Sequence, residues 1–112
     1  MDLVEYVYVV ANRLPDYEKF ALADQIRCSA ISVPSNIAEG QKRIGKAEMA
    51  HFLSISLGSL AEPETQAILC KCLHDSEITR ILDLSTEVSK MLTALIRNLR
   101  TKNSPSKNYF LV

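Results

Sequence analysis

The chain has 112 residues, 47% of them apolar and 23% charged, as expected for one globular domain around a single core. Its 13 basic and 13 acidic side chains give a formal net charge of zero, so any nucleic-acid binding requires local clusters of charge. No apolar run reaches the roughly 18 residues of a membrane span, and no signal-peptide pattern begins the sequence. We therefore expect no membrane partner.

The cysteine content indicates the cellular compartment, and the glycine and proline contents indicate the fold class. The three cysteines do not make an even set for a disulfide framework, so we expect a reducing cytoplasm. Only three glycines, four prolines and few strand signals favour an all-α fold.

The first predicted helix covers residues 2–13, DLVEYVYVVANR. Its valines favour a strand, but the absence of turn signals and of a strand partner downstream indicates a helix. The segment is apolar nearly all round, so other parts of the protein should cover it on more than one side. Leu14-Pro15-Asp16 then breaks the chain, and Asp16 is a suitable N-cap for the next helix.

The second predicted helix runs from Tyr17 to Glu39 and contains the polar stretch QIRCSAISVPSNIAEG at residues 25–40. Pro34 removes a backbone donor, so the helix should bend or restart there. Asn36 and Glu39 have the spacing of a capping box, which would allow such a restart. Gly40 closes the segment.

The third predicted helix extends from Lys46 to about Leu73, after a short basic loop. Pro63 should kink it. Gly58 lies in mid-helix, where glycine costs about 1 kcal/mol relative to alanine. Its expected compensation is the close approach of a neighbouring helix.

The fourth predicted helix begins after Asp75 or Ser76 as N-cap and runs to about Lys102 with a heptad-like apolar pattern. Four helices joined by short breaks predict an antiparallel up-down-up-down four-helix bundle over residues 1–102, followed by a tail at 103–112. The first helix is short, which would leave apolar surface uncovered at one end. Either another subunit covers that surface, or the natural first helix is longer.

Two segments carry a resemblance to a known family: residues 25–40, and HFLSISLGSLAEPETQ at residues 51–66. Together they resemble the four-helix-bundle proteins encoded in intervening sequences of bacterial 23S ribosomal RNA genes, which include the accessory variability determinants of diversity-generating retroelements. The resemblance spans about residues 14–102. Pro63 departs from the family pattern, which has leucine between the two acids.

The resemblance implies a bacterial, cytoplasmic bundle that assembles into homo-oligomeric rings, often pentamers. In the retroelement branch it also implies binding of RNA and of a reverse transcriptase. No catalytic activity is established for the family.

Catalytic and metal chemistry find little support in the sequence. Cys70 and Cys72 are two residues apart, hence about 200° apart around a helix, and cannot easily share a metal. His51 and His74 are single histidines, for which surface or packing roles are more common than catalysis, and no phosphate loop or nucleophile motif is present. We therefore expect no enzyme, no metal site and no cofactor.

A buried polar network is predicted around Arg27 and Glu64, which lie beside apolar stripes on helices expected to be neighbours. Because a buried charge is costly unless it is paired, the simplest interpretation is a core salt bridge with Asn36 or Ser32 in support. The predicted polar core comprises Arg27, Asn36, Glu39 and Glu64. The alternative is a pocket that contacts a ligand or RNA.

Basic residues form two groups, one between the second and third helices and one at the end of the fourth. Antiparallel packing would bring them to one end of the bundle as a basic rim. The rim, our predicted nucleic-acid-binding site, comprises Lys42, Arg43, Lys46, Arg97, Arg100 and Lys102.

Taken together, the sequence predicts a non-enzymatic, self-associating bundle that binds RNA through this rim. The rival hypothesis is a scaffold that binds a protein partner through the uncovered apolar surface and has no nucleic-acid role.

Overall fold

The computed structural model describes residues 1–101, and this part of the chain contains helices and no strand. Leu60 alone separates the third and fourth α-helical segments, which therefore form one interrupted rod, and the fold has four helical rods. Lys102 and the predicted tail at 103–112 lie outside the described residues. The elements are α1 (Asp2–Asn12), a 3-10 turn (Asp16–Glu18), α2 (Leu22–Gln41), α3 (Lys46–Ser59), α4 (Ala61–His74) and α5 (Thr79–Arg100).

Two predicted helix starts are wrong. Asp16 begins the 3-10 turn and α2 starts only at Leu22. Asp75 ends α4 in the left-handed conformation, with φ 53°, which short polar side chains such as Asp tolerate. The start of α5 is stabilised instead by Glu77, whose carboxylate accepts a 2.8 Å hydrogen bond from the backbone N–H of Thr79. Hydrogen bonding from the Thr79 side chain, followed by this backbone bond, lowers the pKa of Glu77.

The predicted restart at Pro34 is also wrong, because α2 is continuous through it. The Asn36 amide donates 2.9 Å to the carbonyl of Ser32, four residues earlier, and so does not cap a new helix. Ser32 and Ser35 likewise donate to the preceding turn, at 2.6 and 2.9 Å. Side-chain donors therefore bind the carbonyls around the position where proline supplies no N–H.

Pro63 does interrupt its rod, but the interruption falls three residues earlier, at Leu60. A proline has no N–H for the carbonyl four residues before it and its ring crowds that carbonyl. For Pro63 this residue is Ser59, where α3 ends. Backbone bonding continues at once, since Glu64 N–H donates 3.2 Å to the Leu60 carbonyl.

Helices α2 and α5 pack against the same three helices but bury side chains of different size. Helix α2 contacts α1, α3 and α4, and α5 contacts the same three helices. The buried faces differ in size: that of α2 contains the small residues Ala23, Ser29, Ala30 and Gly40, whereas six of the seven buried residues of α5 are Leu, Ile or Val. Each large aliphatic side chain buried in this way contributes about 1.5–3 kcal/mol.

The close helix approach predicted at Gly58 occurs at Gly40 instead. A Cβ added at Gly40 would lie 3.1 Å from the Cβ of Phe52 and 3.4 Å from the Met49 carbonyl. A Cβ at Gly58 would meet no atom within 4 Å. Gly40 therefore lets the end of α2 lie directly against α3.

Candidate nucleic-acid interface

The first basic group surrounds the connection between α2 and α3. Lys42 and Lys46 are exposed, whereas Arg43 is half-buried. The Arg43 guanidinium lies 4.5 Å from the centre of the Phe52 ring and pairs with the carboxylate of Glu39, one helical turn earlier. Glu39 is exposed and therefore is not part of a buried polar core, which corrects its predicted role.

The second basic group occupies the last turns of α5. Arg97 and Arg100 are both exposed, and Arg100 Nη2 donates 3.2 Å to Ser54 Oγ on α3. Lys102, the third predicted member, follows the described residues.

Helix α3 brings Arg43 and Arg100 close together along its axis but also separates the two groups. Arg43 lies on Phe52 and Arg100 contacts Ser54, two residues further along α3. Two residues correspond to a 3 Å rise and a 200° rotation. The basic groups therefore flank α3 on nearly opposite sides instead of forming one uninterrupted patch.

The predicted Arg27–Glu64 salt bridge is wrong. Arg27 donates 2.8 Å to Asn12 Oδ1 on α1, and its guanidinium lies 5.6 Å from the centre of the Tyr8 ring. Ser29, the residue that bonds to α4, is two positions along and hence about 200° around α2. Arg27 consequently points toward α1, away from the helix that carries Glu64.

Three buried serines form a polar interior that differs from the predicted Arg27–Glu64 network. Ser29 Oγ donates 2.6 Å to Gln66 Oε1, linking α2 to α4. Ser56 Oγ donates 2.7 Å to the Val33 carbonyl, linking α3 to α2. Ser85 Oγ donates to the carboxylate of half-buried Glu64, linking α5 to α4. The available signal was the position of each serine within an apolar stripe at helical spacing.

His74 and Glu18 make a second contact that local spacing could not reveal. His74 Nε2 lies 2.7 Å from Glu18 Oε2, and both side chains are largely buried. The bond joins the 3-10 turn to the end of α4, across 56 positions of sequence. Neighbouring Cys70 is buried; burial raises the pKa of its thiol, and the charge of Glu18 raises it further.

Within residues 1–101, no group of three or more His, Cys, Asp or Glu side chains is arranged to hold a metal ion. No helix in that range combines the length and apolar character needed to cross a membrane.

The family model described as 23S rRNA-intervening sequence protein matches residues 1–94, most of the chain. The chain belongs to this family. A comparison with curated proteins found no significant match. The family assignment agrees with the resemblance carried by residues 25–40 and 51–66, and both segments form helices in the structure.

Proposed function

We propose that this 23S rRNA-intervening sequence protein is a non-enzymatic, self-associating bundle that binds RNA through its two basic groups. The observation that carries the proposal is the position of these groups. Arg43 contacts Phe52 and Arg100 contacts Ser54, and these two residues of α3 are two positions apart. Because phosphate contacts add up along a strand, two groups at one end offer a longer binding path than either group alone.

The proposed architecture is an antiparallel up-down-up-down bundle with a shortened first helix. Contacts between rods support it, because Arg100 and Ser85 of α5 meet Ser54 and Glu64 respectively. As the residue number falls along α5 from 100 to 85, the number of the contacted residue on the α3–α4 rod rises from 54 to 64. Such a pattern is expected for rods that run in opposite directions. The first helix has 11 residues against 22 for α5, which supports a bundle whose first rod covers only part of the others.

Self-association into a ring, with five subunits as in related rings, is the second part of the proposal. Two large aromatic side chains close together in the sequence support it because they are strongly exposed: Tyr17 by 77% and Phe20 by 85%. All three cysteines are free thiols, which favours the bacterial cytoplasm as the place of action.

Gel retardation with a structured RNA and a single-stranded RNA at ~50 mM salt, where such binding is strongest, tests the RNA proposal. The unmodified protein should retard RNA with weak sequence preference. Changing Arg97, Arg100 and Lys102 together to glutamine should flatten the dependence of log affinity on log salt for the single strand by roughly 2.

The matched control changes Arg13, Lys19 and Arg80 to glutamine. This variant loses the same charge at the other end of α2, which spans roughly 30 Å, and should bind as the unmodified protein does. Equal loss in both variants would indicate a response to net charge alone, and absence of any retarded RNA would overturn the proposal.

The second candidate function is a scaffold for a protein partner, such as a reverse transcriptase. It is favoured by the exposure of Tyr17 and Phe20, which precede the start of α2, whereas the first basic group follows the end of that helix. Failure of RNA binding together with a stable complex at this aromatic site would select it.

A further inference from the structure

A mostly apolar groove of about 500 Å³ lies between α3 and the last turns of α5. Leu57 and Ile96 contribute apolar surface to it, and Arg97 and Arg100 line it as well. Thr101, the last described residue, also lines the groove. The chain therefore leaves α5 at the edge of the groove.

We propose that this groove is the docking site of residues 109–112, Tyr-Phe-Leu-Val, of the same chain. These four consecutive residues are the apolar part of the 11 residues that follow Thr101. Docking would remove their side chains and the groove lining from water, and each large side chain so buried is favourable by about 1.5–3 kcal/mol before ordering costs.

The connecting segment is long enough for this return. Residues 102–108 can span up to roughly 23 Å when extended. The groove extends back along α5 from Thr101 to Thr93, which is roughly 12 Å of helix. Ser104-Pro105-Ser106 lies in the connecting segment and has the composition of a turn, as a reversal of direction requires.

The arginines of the groove suit an aromatic occupant. Within residues 1–101, guanidinium groups lie against rings at three places: Arg27 on Tyr8, Arg43 on Phe52 and Arg80 on Tyr6, at 5.6, 4.5 and 5.6 Å. Tyr109 and Phe110 would give Arg97 and Arg100 the same type of partner, an attraction of about 0.5–1 kcal/mol at an exposed site.

Disulfide trapping in the full chain tests the proposal without RNA. Exposed Cys28 and Cys72 are first changed to serine, and Thr93→Cys is then combined with Leu111→Cys. The matched control combines Glu87→Cys with Leu111→Cys, since Glu87 is exposed on α5 outside the groove lining. With oxidised glutathione, the Thr93 variant should form an intrachain disulfide roughly tenfold faster, because docking raises the effective concentration of the two thiols.

A third protein adds Phe110→Ser to the Thr93→Cys, Leu111→Cys pair, keeps the same tether and target position, and should react more slowly than that pair because docking is weakened. Circular dichroism verifies that all variants keep their helix content. Equal rates for the Thr93 and Glu87 proteins would overturn the proposal. A disulfide that forms only between two chains, seen as a doubled mass on a non-reducing gel, would also overturn it and assign the groove to a second copy.

Discussion

At the scale of single residues, the buried serines determine how the polar interior is satisfied. A hydroxyl costs free energy when it is buried without a partner, and each buried serine donates to an acceptor on another helix. Ser85 has the most demanding acceptor, because hydrogen bonds to a carboxylate are stronger than those between neutral groups. Its hydroxyl is also the partner that the structure gives to Glu64.

We therefore predict that Ser85→Ala lowers the free energy of unfolding by about 1–3 kcal/mol, because the Glu64 carboxylate loses a donor. Urea denaturation measures the change. Thr86→Ala is the control, since Thr86 is exposed and donates only within its own helix, and it should remain within about 0.5 kcal/mol.

A pair of double-mutant cycles separates the observed partner of Glu64 from the one first predicted. Ser85→Ala and Glu64→Ala should be coupled by 0.5 kcal/mol or more, about the lower limit for residues in contact. Arg27→Ala and Glu64→Ala should add within about 0.5 kcal/mol, because Arg27 bonds to Asn12 instead. Coupling in the second cycle and additivity in the first would contradict these contacts.

The failure of the Arg27–Glu64 prediction has a geometric reason. Helical periodicity gives the angle of a side chain around its own axis, and on this basis Arg27 was correctly placed beside the apolar stripe. It does not tell which neighbouring helix lies on which side of the stripe. The hydrogen bond between Ser29 and Gln66 shows that α4 lies on the Ser29 side of α2, and the sequence alone does not contain this contact.

At the scale of elements, the two prolines within helices show that a proline alone does not determine whether a helix is interrupted. Both remove a backbone donor, yet α2 continues through Pro34 while the α3–α4 rod is interrupted at Leu60 before Pro63. Around Pro34, the hydroxyls of Ser32 and Ser35 and the Asn36 amide bind nearby carbonyls. Near Pro63, Ser59 donates backward to Ile55. The prolines predict where helices are weak, and the neighbouring side chains help to decide the outcome.

Two glycines on neighbouring elements provide a matched pair of substitutions. Gly40→Ala should destabilise the protein by about 1 kcal/mol, because the new Cβ would press on Phe52 Cβ, which its own backbone holds in place. Gly58→Ala should stabilise it by up to about 1 kcal/mol, since the site is open and alanine favours helix. Thermal unfolding of both variants gives the signs, and two shifts in the same direction would contradict the packing at Gly40.

At the scale of the whole molecule, residue patterns were sufficient to predict an all-α chain, the approximate extent of each rod and the family. They also predicted two basic groups near each other, and the described members Arg43 and Arg100 contact α3 within two residues of each other. They did not reveal that α3 divides these residues, because the division depends on Phe52 and Ser54 facing different helices. Angles between rods follow from packing, which an individual segment does not encode.

Assembly is the property that the exposed aromatic residues make testable. We predict that light scattering at micromolar concentration gives a mass several times the 12.5 kDa of one chain, and five times that mass for the proposed ring. Phe20→Ser should reduce the mass, because Phe20 and Tyr17 expose two rings within four residues. Ile44→Ser, a change at an equally exposed but isolated apolar residue, should not. A monomer in the unmodified protein would contradict self-association.

The size difference between the buried faces of α2 and α5 has a consequence for how this sequence tolerates change. On α2, whose buried face includes Ala23, Ser29, Ala30 and Gly40, enlargement is the damaging direction, and at Gly40 a new Cβ would meet Phe52 Cβ and the Met49 carbonyl. On α5, truncation is the damaging direction, at about 2–5 kcal/mol for a buried Leu or Ile changed to Ala. Among random variants that still fold, buried positions of α2 should therefore rarely carry larger side chains, and buried positions of α5 should rarely carry smaller ones.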